Sequence, residues 1–222
     1  MKKYIVGFNK LDKLLNGLEL GSVVFIGGVN NSGKTSVLNN FMINIDEIYK
    51  EISYYAPIEI DQNVFVKVLD KMSHNIYESN IYITDYMDGV EDLEEVLIDN
   101  EHIRFVFIDY FELLNTNEYS CKFDSETIFK RLRGIALQYN VLIFVNSLIS
   151  KKYLSNTQEV NLECFNDKEY IMEADVIIGV SRDKDNLSIV NTSILKNRFG
   201  ELGKVSFLLD DKTGKMIEMI KG

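Results

Sequence analysis

The chain is poor in cysteine and histidine, and it lacks long apolar runs. Of its 222 residues only Cys121 and Cys164 are cysteines, without C-x-x-C spacing, so a disulfide framework is excluded and a reducing, cytoplasmic setting is expected. His74 and His102 stand alone without metal-ligand spacing, which argues against a zinc site. No run of about 18 apolar residues occurs, so neither a transmembrane helix nor a membrane partner is expected.

Positive charge is also scarce. The chain has 24 Lys and Arg residues against 34 Asp and Glu residues, which gives a formal net charge of −10. A protein that coats nucleic acid without sequence preference usually has a net positive charge, because phosphate contacts dominate that affinity. Any nucleic acid that binds this chain must therefore meet a local basic patch rather than the whole surface.

The composition is that of an ordinary globular protein, with 46% hydrophobic and 26% charged residues. The chain has no internal repeat, low-complexity tract or linker, so residues 1–222 are predicted to form a single domain.

Apolar patterns with the period of strands alternate with patterns that have the period of helices. Apolar runs predict strands at 22–27, 52–56, 81–84, 104–109, 141–146 and 174–180. Helical spacing predicts helices near 8–17, 33–49, 62–72 and 128–139. The acidic segment 85–101 is predicted to be a solvated helix with one apolar stripe of Leu93, Val96 and Leu97. The tail from residue 187 onward is typical of antiparallel hairpins. The predicted fold is therefore α/β, with a mainly parallel central sheet flanked by helices.

The sequence GVNNSGKT at residues 28–35 directly follows the predicted strand SVVFIG and opens a predicted helix. Strand, glycine-rich turn and helix are the context of a Walker A motif, in which backbone N–H groups and the helix N-terminus bind phosphate. Lys34 adds positive charge for the β- and γ-phosphates, and the Thr35 hydroxyl is a ligand for Mg²⁺. The predicted nucleotide-binding residues are Gly28, Asn30, Asn31, Ser32, Gly33, Lys34, Thr35 and Ser36.

The apolar run FVFID ends at an acidic residue, Asp109. A P-loop nucleotide site needs a carboxylate at the end of a buried strand to help hold magnesium. An acid that ends a strand because the next loop is solvated is the alternative. Together with the P-loop, however, Asp109 and Thr35 are predicted to form a magnesium site.

Five segments occur in a recognisable order: VGFNKLDKLLNGLELGSVVFIGG, YYAPIEIDQNVFVKVL, FVFIDYFELL, EADVIIGVSRD and SILKNRFGELGKVSFLLD. They resemble the C-terminal ATPase domain of the DnaB family of replicative DNA helicases, and the resemblance covers almost the whole chain. It implies a RecA-like P-loop NTPase core that uses ATP and Mg²⁺ to move on single-stranded DNA and separate strands.

The resemblance also implies roles for residues outside the P-loop. Glu59 matches the glutamate that polarises the attacking water, a task that suits a carboxylate near the γ-phosphate. Lys196 and Arg198 match residues that reach the ATP site of the neighbouring subunit, where the rigid guanidinium fork of arginine stabilises phosphoryl charge. An arginine supplied by a neighbour implies a ring, and the family forms hexamers. An ordinary exposed hairpin pair is the alternative for Lys196 and Arg198.

The chain departs from the family pattern in two places. The family has a glutamine that senses the γ-phosphate, whereas the matching stretch here is VNSLIS, in which Ser147 is the sensor candidate with a shorter reach. Lys151 and Lys152 in the following loop are the candidates for contact with single-stranded DNA, although two lysines on a solvated loop need no function.

The N-terminal domain through which family members meet primase is also absent, so an excised domain and a natural single-domain relative both remain open. A helicase loader or primase is the protein partner that the resemblance suggests.

Two functions are therefore considered for this chain. The first is a Mg-ATP-dependent ring motor that unwinds duplex DNA. The second is an ATP-switched oligomeric regulatory or assembly module of the RecA/KaiC type, without unwinding activity. Net acidity and the missing sensor glutamine favour the second, whereas the five ordered segments favour the first.

Overall fold

A computed structural model describes residues 2–57, 61–84, 87, 89–114, 125–149, 159–165 and 174–219. Its helices are α1 (Asn9–Leu15), α2 (Lys34–Tyr49), α3 (Gln62–Lys71), α4 (Val90–Asp99) and α5 (Ser125–Tyr139). Its strands are β1 (Val23–Gly28), β2 (Ile52–Pro57), β3 (Ile81–Ile83), β4 (Ile103–Asp109), β5 (Leu142–Leu148), β6 (Val176–Arg182), β7 (Ile189–Asn197), β8 (Gly203–Leu209) and β9 (Met216–Glu218).

All these strands lie in one sheet, in the order β3-β2-β4-β5-β1-β6-β7-β8-β9. The pairs from β3 to β6 are parallel, because helices connect most of the strands. The pairs β6–β7, β7–β8 and β8–β9 are antiparallel. The predicted fold class is thus confirmed, including the antiparallel C-terminal strands.

The central strands are buried on both faces. In β1, Val24 and Ile26 pack in a core that includes side chains of α1, α2 and α3, whereas Val23 and Phe25 pack in a second core with α4 and α5. Successive residues of a strand point to opposite faces, so an uninterrupted apolar run supplies both cores. This double burial fixes β1, and therefore the loop that follows it, at the centre of the molecule.

The acidic helix α4 lies within the predicted segment 85–101. It begins at Val90, where the backbone N–H of Gly89 donates to the Asp92 carboxylate at 2.9 Å. The predicted apolar stripe is confirmed, because Leu93 and Leu97 are buried in the second core and Val96 packs against it.

None of the described helices is both long enough and apolar enough to cross a membrane.

Candidate active site

The loop between β1 and α2 requires glycine at two positions. A Cβ atom on Gly28 would lie 2.4 Å from the Ser32 hydroxyl oxygen and 2.6 Å from the Val180 carbonyl oxygen. Gly33 has a φ of 98°, in a region that side chains with a Cβ atom rarely adopt. Asn31 has a φ of 62°, which asparagine tolerates better than most residues. These constraints explain why this loop has its particular sequence.

Lys34 is buried at the start of α2, and its Nζ donates to the carbonyl oxygen of Val29 at 3.1 Å. The ammonium group thus lies across the loop, next to the N-terminus of a helix of 16 residues. The Ser32 hydroxyl is buried without a hydrogen-bond partner among the described residues. Backbone amides, a helix N-terminus and a buried cation together suit the binding of an anion such as phosphate.

Asp109 ends β4 beside this loop and is almost fully buried. Its carboxylate accepts a hydrogen bond from Asn146 Nδ2 at 2.8 Å, and the Thr35 side chain lies near it. Burial raises the pKa of Asp109, against the opposing effects of Asn146, Thr35 and the Lys34 charge. The start of α2 and strand β5 therefore both place polar groups beside the carboxylate that ends β4.

Thr35 and Asp109 have the chemistry of a magnesium site. Magnesium in phosphate-transfer sites takes one or two protein oxygens and completes its shell with water and phosphate oxygens. The hydroxyl and the carboxylate are neighbours, so one ion could contact both after a small rearrangement. The residues present fit the ion that the sequence predicts.

A cleft of about 700 Å³ opens at this point. Ligand pockets commonly have volumes of about 300–1,000 Å³. The lining residues are Asn30, Asn31, Gly33, Lys34, Thr35, Ser36, Asp109, Tyr110, Leu148 and Arg182. Of the predicted nucleotide-binding residues, Gly28 and Ser32 are missing from this lining; they shape the loop instead.

Sequence reasoning missed Asn146 and Arg182. Asn146 lies in β5, within the stretch that matches the family's sensor segment, and nothing in the sequence links it to Asp109. Arg182 ends β6, and its Nη1 donates to the Leu187 carbonyl oxygen. Both are polar residues at the carboxyl end of a buried parallel strand, which is the signal that identifies Asp109.

Ser147 does not line the cleft in the structure. Its side chain is buried, and its hydroxyl donates to Glu112 Oε1 at 2.7 Å, while the backbone N–H of Leu148 donates to the other carboxylate oxygen at 3.1 Å. The sensor role of Ser147 stays a prediction. Glu59, Lys151 and Lys152 lie outside the described residues, so their roles also stay predictions.

Lys196 and Arg198 lie far from the loop of their own chain. Val190, at the start of β7, lies beside Gly33, whereas Lys196 is near the end of β7 and Arg198 follows it. The nine residues of β7 span roughly 30 Å at about 3.3 Å each. The structure therefore does not bring this pair to the cleft of the same chain.

No family model matches the chain. In sequence it is 24% identical to the replicative DNA helicase DnaB of Mycoplasma genitalium, in an alignment of 258 positions that covers 95% of this chain. The alignment covers 55% of that relative, so the chain spans about half the length of the curated protein that it matches.

Three solved structures have a similar fold. The first, an isolated ATPase domain, superposes with a TM-score of 0.85 at 21% identity, over 97% of this chain and 91% of that one. A DnaB-like replicative helicase, described with its interactions with primase, gives 0.84 at 20% identity, over 96% of this chain and 61% of that one. The KaiC-like protein PH0186 of Pyrococcus horikoshii OT3 gives 0.75 at 18% identity, over 99% of both chains. In sequence the chain therefore resembles DnaB-type replicative helicases, and in structure it has the RecA-like fold of their ATPase domains.

Proposed function

We propose that the chain is a Mg-ATP-dependent, ring-forming motor of the replicative DNA helicase type, which couples ATP hydrolysis to movement on single-stranded DNA and to duplex unwinding. The convergence of the glycine-rich loop, Lys34, Thr35 and Asp109 in one cleft supports the ATPase part of the proposal. The similarity to a DnaB helicase along 95% of the chain supports the motor part.

Each residue of the cleft has a chemical task in this proposal. The backbone N–H groups of residues 28–35 hold the phosphates, and Lys34 exchanges the Val29 carbonyl for phosphate oxygens. Thr35 and Asp109 hold Mg²⁺, which when bound neutralises charge on the β- and γ-phosphates. Glu59 orients the attacking water and accepts its proton.

The neighbouring subunit completes the site. Arg198 is half-exposed and lies at the opposite end of β7 from its own loop, so it is available to a site on another copy. A head-to-tail contact of this kind closes into a ring when its rotation allows, and the resemblance implies six copies. We assign Lys196 to the same task. A helicase loader or primase is the proposed protein partner.

The test is the rate of ATP hydrolysis with and without single-stranded DNA. We expect stimulation that falls as salt rises, because phosphate contacts release counterions. Lys151→Ala/Lys152→Ala should remove the stimulation and leave the basal rate. Lys13→Ala/Lys71→Ala, which removes the same charge from exposed positions on α1 and α3, should keep it. If single-stranded DNA does not change the ATPase rate of the wild-type chain at low salt, the proposed motor function is wrong.

The second function, an ATP-switched regulatory or assembly module, is favoured by one specific observation. The fold of the KaiC-like protein superposes on 99% of this chain. The KaiC-like TM-score of 0.75 is nevertheless below the 0.85 of the isolated ATPase domain. A slow ATPase that assembles with ATP and ignores DNA would select this module.

A further inference from the structure

The carboxylate of Asp175 lies directly before β6, is almost fully buried and receives hydrogen bonds from three directions. Its Oδ2 accepts from the backbone N–H of Val23 at 3.0 Å and from Arg133 on α5. Its Oδ1 accepts from Nη1 of Arg198 at 2.9 Å. We call Asp175, Arg133 and Arg198 the Asp175 cluster. A buried carboxylate with two guanidinium partners is held in one orientation, because any rotation leaves a buried charge unpaired.

The backbone around Arg198 is also fixed. Its N–H donates to the Asp175 carbonyl oxygen at 3.0 Å. On the other side, Asn197 Nδ2 and the Glu201 N–H both donate to the carbonyl oxygen of Leu14 in α1, at 3.0 Å and 2.8 Å. Gly200 packs so closely that a Cβ atom would lie 2.2 Å from the same oxygen. Arg198 therefore projects from a rigid base, and only its side-chain torsions remain to be set.

The hydrogen bond that one edge of the guanidinium donates to Asp175 restrains those torsions. Arginine presents five N–H donors in a planar fork, and Asp175 engages it through Nη1. The Arg198 side chain is 46% exposed, so the other edge faces outward. Oδ2 of Asp175 accepts hydrogen bonds from Val23 and Arg133, whereas Oδ1 accepts the one from Arg198.

We infer that Asp175 is a positioning residue for Arg198. It holds one edge of the guanidinium so that the remaining N–H groups point toward the phosphates of ATP on an adjacent copy, and Arg133 keeps the carboxylate oriented. The inference rests on the proposed role of Arg198 in the neighbouring site. A group that stabilises transition-state charge works best when its position is fixed before the reaction.

The test is a double-mutant cycle on the full chain, with kcat and KM for ATP as the readouts. Asp175→Asn keeps the size and one acceptor oxygen but removes the charge. We expect kcat to fall at least about tenfold with KM within about twofold, because a misplacement near 1 Å costs up to about a hundredfold in rate. In the Arg198→Ala background, Asp175→Asn should change kcat by less than about twofold, since it acts through Arg198.

A second arginine on α5 offers a matched control. Arg131 pairs with Glu91 and Glu94 on α4 rather than with Asp175. Arg133→Ala should lower kcat, whereas Arg131→Ala should leave it unchanged. This pair also replaces Asp175→Asn if circular dichroism shows that the latter does not fold.

The failures are distinguishable. Wild-type kcat in Asp175→Asn, an additive loss in the Arg198→Ala background, or equal kcat in the two arginine variants would overturn the positioning role alone. Wild-type kcat in Arg198→Ala would overturn the proposed role of Arg198, and the inference with it.

Discussion

Asp109 is an almost fully buried carboxylate at the end of β4, beside the cleft. Burial raises its pKa, and the hydrogen bond from Asn146, the neighbouring Thr35 side chain and the Lys34 charge only partly offset that effect. A fold under selection for stability alone has no need of such a group. Perturbed carboxylates of this kind concentrate at sites that bind metal ions or carry out chemistry.

Asp109→Asn should therefore make the protein more stable and inactive. Because the folded-state pKa is raised, the ionised form destabilises the fold, and this penalty develops as pH rises from the unfolded pKa of about 3.9 through the folded pKa. At pH 7 we expect the free energy of unfolding to rise by about 1 kcal/mol, the usual size when a functional site is relieved of strain. Urea unfolding from pH 3 to pH 8 measures the difference, which should vanish at the acid end.

Asp210→Asn is the control. Asp210 is exposed, and the backbone N–H of Lys212 and the Thr213 hydroxyl lower its pKa. Its replacement should not stabilise the protein at any pH. If Asp109→Asn is less stable than wild type at pH 7, the carboxylate is not penalised by burial.

At the scale of elements, the turn from β1 into α2 depends on close backbone contacts. Gly28→Ala should lower the free energy of unfolding by about 1–3 kcal/mol and weaken ATP binding, because the new methyl group meets a backbone carbonyl and the Ser32 hydroxyl. Gly134→Ala on α5 is the opposite case: its Cβ would meet nothing within 4 Å, so the helix should gain about 1 kcal/mol. Thermal unfolding and nucleotide titration separate the two outcomes, and equal loss of affinity in both variants would contradict the explanation.

Helix α2 is also tied to the connection before β3 through the buried Asp46. Its Oδ1 accepts from the backbone N–H and the side-chain nitrogen of Asn80, at 3.0 Å and 3.1 Å, and His74 Nε2 lies 3.3 Å from Oδ2. Burial tends to raise the pKa of Asp46, but His74 and Asn80 outweigh it and lower the pKa. This carboxylate stabilises the fold in its ionised form, which is the opposite sign from Asp109.

Asp46→Asn should accordingly lower the free energy of unfolding by about 2 kcal/mol at pH 7, since hydrogen bonds to a charged group are lost. The wild-type advantage is fully present above the unfolded pKa of about 3.9 and is lost as pH falls through the lower, folded pKa. Urea unfolding between pH 2.5 and pH 7 measures it. A difference that grows toward acid pH would mean that Asp46 is protonated in the native state.

The predictability of these elements follows from the range of the contacts that define them. β1, β4 and β5 were predictable because strands buried on both faces have continuous apolar sequences. The P-loop was predictable because its backbone conformation and close contacts require glycine at fixed positions. At the start of α4 the backbone N–H of Gly89 donates to the Asp92 carboxylate, and this single contact is a weaker sequence signal for where the helix begins. The contacts of Asn146 and of the Asp175 cluster join segments that are far apart in the chain, so no local sequence pattern predicts these contacts.

At the scale of the whole molecule, the cleft and Arg198 lie at opposite ends of the sheet. The cleft lies at the carboxyl end of β1, β4 and β6, and Arg198 lies near the amino end of β6, across the length of β7. Copies stacked head to tail would bring one end of each against the other end of the next. Since every copy has a net charge of −10, such a contact requires local basic groups, and Lys196 and Arg198 provide them at one end.

This arrangement predicts that two inactive variants restore each other. Lys34→Ala lacks the lysine that is proposed to bind phosphate but keeps Arg198, whereas Arg198→Ala keeps its own cleft. If Arg198 acts on the adjacent copy, a mixture contains sites where an Arg198→Ala cleft faces a Lys34→Ala neighbour. In an equimolar random ring these are about a quarter of all sites, so the basal ATPase rate should recover to at most about a quarter of wild type. If Arg198 served its own cleft, no mixed site would be complete, and the mixture would be as inactive as its components. Rates measured after subunit exchange, with Lys34→Ala/Arg198→Ala in place of either partner as the control, decide between the two arrangements.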